Sequence, residues 1–241
     1  MKKVLALTYA DLKNISRDST LILLFLAPVL ILFFLNLGLP LISRVLLEKY
    51  SFDLSIHYIF ILSFFCLMPS MLFGLLVGFT ILDERDEEII TYIAVTPLGK
   101  KGYFIYKIFF SSLLSFIFFF IMINTAGLSY LHLQYSIGIA LMVALEAPIH
   151  SIFLAAFAEN KVEGLAFSKI LGLMFIAPFV AYFVKSDLQY IAGILPPFWA
   201  TKAFFAAQQR ADSYWLFLLI GIILHIIFIL LLLKRFFIIQ R

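Results

Sequence analysis

The chain has 241 residues, 64% hydrophobic and 13% charged, with a formal net charge of +4. A soluble domain carries about 45–50% apolar and about 25% charged residues, so this surplus has no place in a single core and a soluble globular protein is excluded. Disorder is excluded by 29 Phe and 11 Tyr, and a single cysteine, Cys66, excludes a disulfide framework or a cysteine-rich metal site. In so apolar a chain the small positive balance points to membrane topology rather than to nucleic acid.

Residues 1–19 read as an amphipathic helix. Val4, Leu5, Tyr9, Leu12 and Ile15 fall on one stripe, and Lys2, Lys3, Lys13 and Arg17 fall mostly opposite. Such a helix lies in the inner membrane interface; the alternative is a plain basic tail that sets topology. A span needs about 20 apolar residues. Six runs qualify, at about 20–42, 56–82, 108–130, 137–158, 164–184 and 213–233. They are continuous rather than alternating, which excludes barrel strands. The first is too long for a signal-peptide core and reads as a retained span. The expected fold is therefore all-α and polytopic, a single transmembrane domain over 1–241.

Within the second span Gly74 and Gly78 form a small-xxx-small face, suited equally to internal packing and to a dimer contact. The loop 83–107 opens on Asp83, Glu84, Asp86, Glu87 and Glu88, acids that suit the first turn of a helix. Ile89, Ile90, Tyr92 and Ile93 then give that short helix an apolar face, and Thr96-Pro97 stops it. A solvated loop has no need of such a face. It packs on its own bundle or docks into a partner's groove.

Glu146 and His150 lie four residues apart in the fourth span, on one helix face. A carboxylate at mid-bilayer costs about 2.5–3.5 kcal/mol on insertion scales. Protonation or pairing with His150 would lower that cost. Two readings follow: a polar spot on a translocation path, and a hydrogen-bonded seam between helices. Residues 185–212 are too apolar for a plain loop and too interrupted to span, which fits short re-entrant or interfacial helices with Tyr190 and Trp199 at headgroup depth.

With both termini inside, the inner segments hold Lys2, Lys3, Lys13, Arg17, Arg85, Lys100, Lys101, Lys107, Lys161, Lys169, Lys234, Arg235 and Arg241, which is 13 of the 18 basic residues. The bias orients the chain in the cytoplasmic (inner) membrane with both termini cytoplasmic.

The stretch Ile81-Leu82-Asp83-Glu84-Arg85-Asp86-Glu87-Glu88, with Tyr92, Thr96-Pro97-Leu98 and Tyr106-Lys107, resembles the permease subunit of type-2 ATP-binding-cassette exporters. Ser16-Arg17-Asp18 before the first span and Pro28 within it are similar to that family's N-terminal pattern. Asn160-Lys161-Val162-Glu163-Gly164 with Lys169, and Pro196-Pro197-Phe198-Trp199, resemble a bacterial subgroup that exports fluoroquinolones or other drugs. The resemblance implies a homodimer or heterodimer of six-span halves, each bound to a separate ATPase subunit that holds ATP and magnesium. It implies a coupling helix with Glu84, Glu87, Glu88, Ile89, Tyr92, Ile93 and Thr96, and an interface helix with Leu5, Tyr9 and Leu12. Substrate would pass near the two-fold axis, and Glu146 and His150 are candidates for that path or for a helix seam.

The sequence has no Gly-x-x-x-x-Gly-Lys-Ser/Thr loop, so no cofactor and no catalysis are expected of this chain, and ATP hydrolysis falls to a partner. An intramembrane hydrolase is the alternative from another class, since Glu146, His150 and His225 are residue types that bind zinc. But zinc needs three protein ligands, and a His-Glu-x-x-His pattern is absent. A secondary transporter would show an inverted repeat. A non-transport membrane assembly protein is the remaining alternative.

Overall fold

The computed structural model describes residues 2–239, with side chains for residues 7–238. The basic helix α1 (Lys2–Ile15) turns at Asp18 into α2 (Ser19–Phe33). Asp18 caps α2, accepting from the Thr20 N–H at 2.7 Å and the Leu21 N–H at 3.0 Å. A wide turn at Phe34–Gly38 joins α2 to α3 (Leu39–Tyr50), and the Asn36 amide donates to the Leu32 carbonyl across it. Then follow α4 (Tyr58–Asp86), the short α5 (Ile89–Ala94), α6 (Gly99–Thr125) and α7 (Leu133–Phe157). The chain closes with α8 (Lys161–Leu173), α9 (Ile176–Phe183), α10 (Pro196–Gln208) and α11 (Ser213–Ile239).

Six segments are long and apolar enough to cross a membrane, with α2–α3 and α8–α9 each counting as one. The chain is an all-helical, multi-pass membrane protein. In the span of α7, 72% of residues are buried by protein, against 17% in those of α2–α3 and α11. So α7 is the central post, and the outer helices turn Leu and Ile to lipid. The third segment begins at Gly99 and ends at Thr125, five residues short of the expected end, because Gly127 takes φ +62° and turns the chain.

Proline and glycine shape the packing. The break between α8 and α9 precedes Pro178, whose ring removes an amide donor and crowds the carbonyl four residues back. A Cβ on Gly74 would lie 2.5 Å from the Ala147 carbonyl oxygen and 2.7 Å from the His150 Cβ. The Gly74–Gly78 face is therefore used inside the chain, seating α4 against α7. In the segment 185–212, α10 is a buried helix packed on α7 and α11, and Trp199 donates to the Gly193 carbonyl at 2.6 Å.

Candidate functional site

Helix α1, α5, the start of α8 and the end of α11 gather at one end of the bundle, which we term the basic end. Here α5 hangs between α4 and α6. Ile90 points inward, 6% exposed, among Ile81, Tyr103 and Ile149. Tyr92 and Val95 point outward, 70% and 87% exposed. Thr96, Glu87 and Glu88 are also exposed, whereas Ile89 and Ile93 are half-buried against a cleft that α5 shares with α1.

The acids do not open α5 as their run suggests. Asp83, Glu84 and Asp86 instead close the last turn of α4. Glu88, at φ 58°, is the left-handed residue from which α5 starts. Two anchors hold α4 helical that far. The Arg85 guanidinium donates to the carbonyls of Ala158 at 2.9 Å and Ala155 at 2.5 Å, capping the negative end of α7. Glu84 turns inward to Lys107.

That inward turn makes a buried charge network that sequence reasoning missed. Lys107, fully buried on α6, donates to Asp11 Oδ1 at 2.7 Å, Glu84 Oε1 at 2.9 Å and Thr80 Oγ1 at 3.5 Å. An ammonium has three donors, and here all three are used. Tyr103 donates to the other Glu84 oxygen, and Tyr106 donates to Asp11 Oδ2 at 2.9 Å. Three helices, α1, α4 and α6, are thus joined around one cation. A second node ties two further segments to α4: Lys161 at the head of α8 donates to Asp18 Oδ2, in the turn before α2, at 2.7 Å and to Asp83 Oδ2 on α4 at 2.8 Å. The hydrogen bond from Lys161 holds the Asp18 carboxyl below its ordinary value.

On α1, Tyr9 and Leu12 face away from the bundle, 70% and 46% exposed, while Asp11 and Ile15 face in. The side chains of Val4 and Leu5 lie outside the described residues. A lone acid in an apolar stripe was the signal for Asp11. For Lys107 it was a cation within the apolar run that makes the third span.

The second polar centre lies mid-bundle. Glu146 and His150 on α7 and His225 on α11 are all fully buried. Of the two ways to lower the cost of the carboxylate, side-chain pairing of Glu146 with His150 does not form. His150 Nδ1 bonds the Glu146 backbone carbonyl at 3.0 Å, and His225 Nδ1 bonds the Gly221 carbonyl at 2.7 Å. Both carboxylate oxygens of Glu146 and both Nε2 atoms have no hydrogen-bond partner among the described residues. Among the described residues, no three His, Cys, Asp or Glu side chains converge tightly enough to hold a metal ion.

Comparison with known proteins fits this geometry. Residues 11–233 match the family profile described as "Rv2686c-like: Fluoroquinolones export permease protein Rv2686c-like". Two relatives from Mycobacterium tuberculosis are each 31% identical over 229 residues, covering 94% of this chain and 90% of the relative. They are the fluoroquinolones export permease proteins MT2760 (strain CDC 1551 / Oshkosh) and Rv2686c (strain ATCC 25618 / H37Rv). No solved structure matches. The six spans, the family match over nearly the whole chain and the two full-length relatives agree, and the chain belongs to the Rv2686c-like fluoroquinolone export permease family.

Proposed function

We propose that this chain is the membrane half of an ATP-driven exporter. Two six-span halves form the pathway, and a separate ATPase subunit, which holds ATP and magnesium, docks on the basic end. The basic end is cytoplasmic, because the sequence segments assigned to the inside hold 13 of the 18 lysines and arginines. The cargo is an aromatic amphiphile of the fluoroquinolone kind, by analogy with the named relatives.

The observation that carries this reading is the outer face of α5. Tyr92 and Val95 are exposed at the end of the bundle that carries the charges, where lipid does not cover them. Apolar side chains in that position gain by burial against a partner. The inner face of α5 is pinned by Ile90, and the network around Lys107 ties the adjoining ends of α4 and α6 to α1. A pull on α5 therefore moves three helices as one body and tilts the spans. On α1, Tyr9 and Leu12 rest in the membrane interface.

The test is Tyr92→Asp with Val95→Asp, which changes only outward-facing side chains. The variant is expected to insert and fold normally but to lose the ATPase subunit on co-purification and to lose export. Undiminished recovery of the ATPase would overturn the docking assignment.

A further inference from the structure

The end of the bundle opposite the basic end holds a cavity of about 400 Å³. It lies between the start of α4, the end of α9, α10 and the start of α11, where three of the spans leave the membrane. Its lining is mixed. Lys185, Gln189 and Lys202 supply polar groups, and Ile56, Phe205 and Phe217 supply apolar ones. Among the described residues no carboxylate lines it.

The two lysines set this cavity apart. The ion pairs among the described residues belong to Lys107 and Lys161, and neither Lys185 nor Lys202 takes part in one. Each has one hydrogen bond among the described residues: Lys202 Nζ donates to Gln189 Oε1 at 3.0 Å, and Lys185 Nζ donates to the Tyr182 carbonyl at 2.7 Å. An ammonium has three donors, so two remain on each. A surface lysine carries its head out to water. Lys202 is instead half-buried, with Nζ 5.8 Å from the ring centroid of Tyr190 and 5.6 Å from that of Phe217. Burial and the neighbouring Lys185 charge hold its ammonium below the ordinary lysine value. The wall is fixed as well: Tyr182 stacks on Phe60 at 4.6 Å and its hydroxyl bonds His57 Nδ1 at 2.8 Å. Fixed walls lower the cost of ordering the site on binding.

The fitting occupant is an anion with several acceptor oxygens and an apolar part. Ile56 and Ile59 are exposed at the rim, at the head of the second span, where acyl chains lie. A phospholipid phosphate sits at the depth at which spans end. Two cations with no lining carboxylate disfavour a headgroup that carries its own ammonium. We propose that the cavity between α4, α9, α10 and α11 binds an anionic phospholipid, with its phosphate between Lys185 and Lys202 and its chains along Ile56 and Ile59. The proposal does not depend on the export reading.

The test uses the two tryptophans of the chain, Trp199 and Trp215, which both lie at this end. Trp215 is exposed to any lipid, so it is replaced by phenylalanine. Trp199 then reports alone, with its ring centroid 6.1 Å from that of Phe217 in the cavity wall. The full chain carrying Trp215→Phe is placed in phosphatidylcholine bilayers, and quenching is measured with brominated phosphatidylglycerol and with brominated phosphatidylcholine. The anionic lipid is expected to be preferred at least about tenfold, the order that two lysines give against an anionic lipid. Lys185→Gln, at an exposed position, is expected to reduce the preference about fivefold, and Lys185→Gln with Lys202→Gln to abolish it. Lys49→Gln removes an exposed cation at the same end outside the cavity and is expected to leave the preference intact. Equal quenching by the two lipids, a preference that survives the double substitution, or an equal loss in K49Q overturns the site. Displacement of the lipid by soluble glycerol phosphate overturns the lipid as occupant. The bilayers contain no ATPase and no drug, so failure here leaves the docking test of the export reading standing.

Discussion

Lys107 and Glu146 are both fully buried in an apolar bundle, yet only Lys107 has partners. Around Lys107 the arithmetic closes: three donors meet three acceptors, and two tyrosines fill oxygens that remain. Both carboxylate oxygens of Glu146 lack a hydrogen-bond partner among the described residues. A buried polar group that is fully paired fixes the relation between helices, whereas one left unpaired costs the fold stability. The first centre therefore reads as the rigid link between α1, α4 and α6, and the second as an unpaired polar spot within the bundle.

The comparison breaks hardest at Lys107. Lys107→Met leaves Asp11 and Glu84 as buried carboxylates with no cation, and removing one partner of a buried pair costs about 3–5 kcal/mol. A sharp fall in thermal unfolding temperature is expected for the purified protein. Adding Asp11→Asn and Glu84→Gln to Lys107→Met should recover most of it, since no charge is then unpaired. A single variant as stable as the parent would show that the network carries no structural weight.

Glu146 should answer in the opposite direction. Glu146→Gln keeps the shape of a buried side chain that has no partner among the described residues and removes its ability to ionise. A gain of about 1 kcal/mol is expected, read as a higher unfolding temperature without ligand. A change that stabilises the fold separates an unpaired group from a strut. Destabilisation by E146Q would place Glu146 among the structural groups.

The contrast also explains what the sequence made legible. Six spans follow from apolar runs alone, because lipid imposes length and continuity on each segment independently. That Glu146 and His150 share a face is a property of one helix. Their failure to pair is not, since it depends on His150 turning Nδ1 to a backbone carbonyl. The Lys107 network joins residues 96 and 23 positions away in the chain, at Asp11 and Glu84. No local pattern marks such a partnership. The acidic run misleads for the same reason: read alone it suits a helix start, and only Arg85 and Lys107 reveal it as the end of α4. On α5, the three isoleucines look alike in sequence, but only packing distinguishes inward Ile90 from exposed Tyr92 and Val95.

The smallest effect is expected at the node that lies between these extremes. Lys161 bridges Asp18 and Asp83 with side chains 17–31% exposed, so solvent screens the pair. Its signature is in the pH dependence. Asp18 has its carboxyl held below the ordinary value, chiefly by the hydrogen bond from Lys161. A depressed folded value means that the unfolded chain takes up the proton first as pH falls. The stabilisation is therefore complete above about pH 3.9, the usual aspartate value, and is lost as pH drops from there through the folded value. Asp18→Asn keeps the helix cap, because asparagine caps as well as aspartate, and removes only the charge. Wild type should exceed D18N in unfolding temperature at pH 7, and the two curves should converge as pH falls below 4. Parallel curves over that window would mean that Asp18 serves α2 as a cap alone, and that only the buried Lys107 centre ties α1 to the spans.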